Sequence, residues 1–413
     1  MRVRLAIGVA TLVAVLLGGG FSAYAQGNDE LTELRRRVAA LEAEQKRMAD
    51  QELEEISKRL AEEMGQTTLP EWVTRTKLKG DFRYRHELID DDASGRNTDR
   101  NRQRIRARLG IYSKVNDDVD VGIRLATGGL GGATSTNQTL TGAFGSKAFN
   151  LDRAYFDYHP GRIEGLHVIG GKMANVFNEP VGNSDLIWDG DVNPEGLAAK
   201  YSVKTADESM EFFVQGGGFY ATENRRPEDQ GLFGGQAGVK VAVPGFEGVS
   251  LKVGGGYYDY ANVENGALLG TASGNQLDAT GVQYNDDYDL VEGFAELGYK
   301  GDDVSLSAFG HAVRNTAATC NKSAWLAGGS VGYKKFKVTY NYRTVDQNSI
   351  IGSLADGDFL QGGINGNSHK ISLGYNLSKN WDIGATAFIS ERGNANLGGR
   401  RVNVYQLDLK FKF

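Results

Sequence analysis

Arg102–Tyr112 reads RQRIRARLGIY, and this alternation decides the fold. Successive side chains of an extended chain point to opposite faces, so Ile105, Ala107, Leu109 and Ile111 share one side and Arg102, Arg104, Arg106 and Arg108 the other. Four arginines on one strand face have no place in a dry core, where an unpaired charge costs several kcal/mol. They need water on their side while the other side meets something apolar.

The scheme repeats on both sides of this strand. TKLKGDFRYRHEL (Thr76–Leu88) sets Leu78, Phe82, Tyr84 and Leu88 against Lys77, Lys79, Arg83, Arg85 and Glu87. VYQLDLKFKF (Val404–Phe413) sets Tyr405, Leu407, Leu409, Phe411 and Phe413 against Gln406, Asp408, Lys410 and Lys412. About 16 such segments fill residues 76–413. The gaps between them alternate. Short ones fall near 116–117, 159–165, 205–208, 244–248, 301–302, 334–335 and 378–380, and long polar ones near 90–99, 129–146, 174–195, 221–230, 261–286, 315–323, 347–367 and 392–400. Short turns on one rim and long loops on the other are the layout of a 16-stranded antiparallel transmembrane β-barrel. Its last strand is expected to pair with its first, because an open edge in hydrocarbon leaves backbone groups unsatisfied. A barrel of this size leaves an aqueous passage.

Composition agrees. The 56 glycines are nearly twice the ordinary share of about 7%. Beyond the N-terminal 25 residues no apolar run reaches the roughly 20 residues of a spanning helix, so membrane residence requires closed β-structure. Within residues 1–25, Arg2 and Arg4 precede an apolar run from Leu5 to Leu17 and Ala23-Tyr24-Ala25, the pattern of a cleaved signal peptide. Without those two arginines the net charge falls from −6 to −8, which gives no general electrostatic reason to bind nucleic acid. Cys320 is the sole cysteine, so no intrachain disulfide forms.

Residues 26–66 follow a different period. Leu31, Leu34, Val38, Leu41, Gln45 and Met48 step by three and four, and Leu53, Ile56 and Leu60 resume the stripe after a slip. So narrow a stripe stabilises a helix poorly alone and is expected to self-associate as a coiled coil. The segment holds 11 acidic and 7 basic residues, which does not favour an acidic cell-wall polymer as its partner. Residues 67–75 serve as a linker, and both ends of an even-stranded barrel lie on the short-turn rim, which puts the coiled coil in the periplasm.

From about Lys77 to Phe413 the chain resembles a 16-stranded porin of Gram-negative bacteria, in the "putative porin" class. LDRAYFDY (Leu151–Tyr158), GGKMANVF (Gly170–Phe177) and WDGDVNPEG (Trp188–Gly196) carry the likeness, and the terminal Phe413 resembles the insertion signature of outer-membrane proteins. The resemblance implies an outer-membrane homotrimer in contact with lipid and lipopolysaccharide. It also implies that the third long loop folds into the lumen as an acidic constriction facing a basic wall. Glu179, Asp185, Asp189, Asp191 and Glu195 lie in that loop or at its end. The N-terminal extension is similar to that of sugar-specific porins.

The candidate pore-lining residues are therefore Arg83, Arg85, Arg102, Arg104, Arg106 and Arg108, set against Asp185, Asp189, Asp191 and Glu195, with a transverse field ordering water and solutes between them. The competing reading is that the arginines pair with nearby carboxylates and only solvate the wall. DGDVNPE (Asp189–Glu195) resembles the front of a calcium loop but has Pro194 where glycine is expected. Five scattered histidines offer no metal spacing, and no catalytic constellation or cofactor motif emerges. The expected function is passive diffusion of small hydrophilic solutes and ions. The alternatives are a channel specific for sugars or anions, and a barrel that mainly anchors a cell-wall-binding stalk.

Overall fold

The computed structural model describes residues 36–48, 51–52, 54–55, 71–92, 99–177, 184–224, 228–393 and 399–413. The expected signal peptide, much of the coiled-coil stripe and Glu179 lie outside these residues. Residues 36–48 form a helix, α1, whose side chains, Val38, Leu41 and Met48 included, are all exposed. No described helix is long and apolar enough to cross a membrane. The chain divides into two units at Glu71/Trp72.

The second unit is one closed antiparallel sheet. A one-turn helix, α2 (Glu71–Thr74), leads into β1 (Thr76–Asp91), β2 (Arg100–Lys114), β3 (Val119–Thr127), the two-residue β4 (Gln138–Thr139), β5 (Phe149–Tyr158) and β6 (Leu166–Lys172). Then come β7 (Glu195–Lys204), β8 (Met210–Thr222), β9 (Gln230–Ala242), β10 (Val249–Asp259), β11 (Asp289–Lys300) and β12 (Val304–Asn315). β13 (Ser323–Tyr333), β14 (Phe336–Val345), β15 (Gly366–Ser378), β16 (Trp381–Arg392) and β17 (Arg400–Lys412) complete the ring.

Each barrel strand pairs with its sequence neighbour, and β17 pairs with β1 from Asp81↔Lys412 to Asp91↔Val402. The backbone N–H of Phe413 donates to the Gly80 carbonyl at 3.0 Å, so pairing runs to the last residue. Leaving aside β4, which is a loop segment laid beside Arg104 and Ile105, the barrel has the expected 16 strands.

Alternation sorts the two faces as the sequence implied. Leu88, Ile111, Phe156, Leu197, Phe212, Val253, Leu297, Val331, Leu373 and Leu407 form an exposed apolar belt. Positions between them carry the ionic groups. Gly80 illustrates how tight the seam is: a side chain there would collide with the Phe413 ring and the Arg108 carbonyl.

The interior departs from a simple wet lumen. The segments 173–177, 184–194, 260–288 and 346–365 fold inward and build a hydrophobic core of Met173, Phe177, Ile187, Trp188, Tyr284, Tyr288, Ile350 and Phe359 on inward residues such as Phe219, Leu232, Phe294, Phe309 and Leu326. Tyr220 and Tyr257 stand on the outer face near strand ends, as an interfacial girdle requires. Tyr258 and Tyr260, close by in sequence, instead point inward and are fully buried. Tyr258 meets Phe177 edge-on at 5.0 Å and Trp188 at 5.6 Å.

Candidate functional site

The register of β17, β1 and β2 places all six arginines on one continuous inward face. Arg83 lies opposite Arg106 and Arg85 opposite Arg104, while Glu87 faces Arg102 and Asp81 faces Arg108. From the other side, Asp408 faces Arg85. Like charges directly opposite destabilise a strand pair unless counter-charges intervene. Here they do.

Arg85 grips Asp408 bidentately, Nε to Oδ1 at 2.7 Å and Nη2 to Oδ2 at 2.9 Å, and reaches Asp358 at 2.9 Å. Asp81 is shared by Arg106 at 2.9 Å and Arg108 at 2.7 Å. Glu87 is shared by Arg102 and, at 3.5 Å, Arg104. Arg83 donates to Asn137 and stands 4.0 Å from Asp408. The arginine side chains are only 6–21% exposed, so loops cover them. This geometry supports the reading in which the row pairs with local carboxylates, and it leaves little free charge to act across a gap.

The acidic loop residues separate into distinct situations. Asp191 crosses to the arginine wall, 3.5 Å from Arg108, and accepts from the Thr136 backbone N–H and hydroxyl, each at 3.0 Å. Asp189 accepts backbone N–H groups from Asp191 at 2.8 Å and Gly357 at 2.7 Å, which ties residues 184–194 to segment 346–365. Asp185 reaches Lys370 at 3.4 Å, on the side of the Arg343–Asp356 pair rather than the arginine row. Glu195 pairs with Lys172 at 2.7 Å and begins β7 in phase with the outward Leu197 and Tyr201, so it does not join the others. Arg153 donates to the Asn193 side chain at 2.7 Å.

Sequence reasoning missed the other half of this network. Asp356 lies between Arg343 at 3.1 Å and Lys370 at 3.3 Å, and Asp358 bridges to Arg85. Both sit in DGD (Asp356–Asp358), a short acidic repeat inside a long loop, which echoes DGD at Asp189–Asp191 and is the one signal that could have pointed to them. The counter-ions Asp81, Glu87 and Asp408 were visible as acids interleaved with arginine on the inward face. Among the described residues no group of His, Cys, Asp and Glu is arranged to hold a metal ion.

Burial, joined by the Asp356 charge, pushes the Asp189 carboxyl up to about 8 despite its two N–H donors. Burial acts the same way on Asp358, but Arg85 and its neighbours outweigh it and hold that carboxyl at about 2. For Asp189 the folded protein therefore binds the proton more tightly than the unfolded chain, whose reference is 3.8. The stability it lends is complete below 3.8 and is lost as pH rises through about 8. We expect the contact between residues 184–194 and 346–365 to loosen as pH rises from about 4 to about 8 and to change no further above that, read as faster proteolysis of either segment. Asp189→Asn, which stays neutral, should flatten that profile. An unaltered pH profile in the variant would exclude this carboxyl as the cause.

Residues 92–288 match the family model described as "Putative porin", and the chain resembles porins of Gram-negative bacteria. Two solved structures similar to it are engineered variants of the Rhodopseudomonas blastica porin. A triple mutant is 13% identical with a TM-score of 0.47, and another variant is 13% identical with a TM-score of 0.49. Each match covers 82% of this chain and 100% of that one. No curated protein matches the sequence.

Proposed function

We propose, from the porin match over residues 92–288, that this chain is an outer-membrane channel through which small hydrophilic solutes and ions diffuse passively. One observation carries the reading: a closed ring of 16 strands with an apolar belt outside and ionic side chains inside. Such a wall is stable only where lipid meets one face and water the other. The assembly is a homotrimer embedded in lipid and lipopolysaccharide, exported by its signal peptide. Residues 26–66 form a periplasmic coiled coil, a role that the exposed apolar stripe of α1 favours.

A second reading, a solute-specific channel, is favoured by the inward segments. They occupy part of the lumen, and residues 184–194 and 346–365 are pinned to its wall, the first at Arg108–Asp191 and the second at Arg85–Asp358 and Lys370–Asp356. A narrowed, charged passage selects more strongly than a wide one.

Purified protein in a planar bilayer separates the readings. Discrete ohmic steps support general diffusion, and current that saturates with one solute supports specificity. Intact, membrane-inserted protein that passes no current would sink both and leave the anchor reading.

A further inference from the structure

The arginine wall is matched by its own acids, but the inward face closer to the short turns has a different balance. Register fixes which side chains point inward there. Lys240 lies opposite Glu211 and Lys252, Lys252 opposite Glu296, Lys300 opposite Ser305 and Lys337 opposite Gly332. The three inward positions nearest the short turn, taken on each of the 16 strands, hold 13 lysines and arginines against 7 aspartates and glutamates. Matching every one of those acids to a basic side chain still leaves six cations over. The excess is not a property of the whole chain, whose net charge is −6. Nor does it belong to the turns, which carry more acid than base, Asp207, Glu208, Asp302 and Asp303 among them.

Burial separates these charges further. The seven acids are all buried or half-buried. Asp408 is gripped by Arg85 and Asp81 is shared by Arg106 and Arg108, while Asp157 meets His167 at 3.0 Å and Asp382 meets Lys412 at 3.1 Å. Every charged side chain that is exposed at these positions is a lysine. Lys79, Lys204, Lys240, Lys300 and Lys337 are among them and stand on five different strands around the ring. An ion in this half of the lumen therefore meets ammonium groups on several sides, and carboxylates only behind them. Low-dielectric walls focus such a field, and at 0.1 M salt it reaches about 10 Å from each charge, so neighbouring lysines act together.

We infer that this basic collar on the short-turn half of the lumen sets the selectivity of the channel, and that the solutes it favours are small anions. The inference rests on the channel reading above and gives it a sign. The collar acts as a field on whatever passes, so no lysine in it needs to lack a partner or to hold a bound ion.

The test is the reversal potential of full-length protein in a planar bilayer under a potassium chloride gradient. Wild-type protein should pass chloride over potassium by about 3-fold or more at 0.1 M, and the preference should fall toward 1 M, where screening shortens the field to about 3 Å. K240E/K300E/K337E moves the wall by six charges and should abolish the preference. The milder K240Q/K300Q/K337Q should lower it, and K240R/K300R/K337R should keep it. K334E/K335E/K379E moves the net charge by the same amount in the short turns and should leave the preference unchanged. Current without anion preference, or a loss of preference as large in the turn variant as in the wall variant, would overturn the collar and leave the channel standing. Inserted protein that carries no current would overturn both.

Discussion

Replacing Arg85 with alanine is expected to destabilise the barrel by about 3–5 kcal/mol and to free the segment 346–365. Arg85 is the common partner of Asp408 on β17 and Asp358 in the inward segment, and its side chain is 6% exposed. Removing it strands two carboxylates in a site built around a guanidinium, which costs far more than losing an exposed ion pair. Lysine does not substitute, because one ammonium cannot make the bidentate contact with Asp408 and reach Asp358 as well. The readouts are the temperature at which the folded form is lost on a denaturing gel, proteolysis within 346–365, and single-channel conductance, which should rise as the segment leaves the lumen. A variant with unchanged thermal stability and an uncut segment would show that this cluster does not hold the interior together.

The second large effect concerns neighbouring positions on β15. Leu373 is half exposed on the outer belt, and Ser372 faces inward, with its hydroxyl 3.3 Å from that of Thr386. An arginine at a lipid-facing position near the bilayer midplane costs about 2–4 kcal/mol. Leu373→Arg should therefore sharply reduce insertion into membranes, whereas Ser372→Arg, one residue away and water-facing, should insert nearly as wild type. Equal insertion of both variants, measured as the heat-modifiable fraction in vesicles, would mean that the belt does not face lipid.

How much of this was legible beforehand follows from what set each feature. The strands were legible because a two-faced wall imposes a period of two, and Arg102–Arg108 is that period in its strongest form. The ring closure was legible because Tyr405–Phe413 alternates to its last residue. The filled interior was less so. Phe219, Leu232, Phe294 and Phe309 are inward apolar residues that break the polar-in rule, and next to outward neighbours such as Phe233 they read as ordinary barrel strands. Their meaning depends on Phe177, Ile187 and Trp188 arriving from a distant segment, a contact that no local pattern encodes. The same holds for the acids. Asp191 and Asp358 reach the arginines because loops double back, so sequence position grouped Asp185, Asp189, Asp191 and Glu195 although the fold sends Glu195 outward and Asp185 to Lys370.

Closure of the ring is the premise of everything else, and one cross-linking experiment tests it. Tyr84 on β1 and Leu409 on β17 are direct partners, separated by more than 300 residues in sequence. Cysteines placed at both, in a chain whose native Cys320 is serine, should sit about 4.5–5.5 Å apart at Cβ. A short bis-thiol reagent should then join them within a single chain, giving a compact band that keeps monomer mass after the protein is denatured. Cross-links that form only between chains, or none at all, would contradict a barrel closed by its first and last strands.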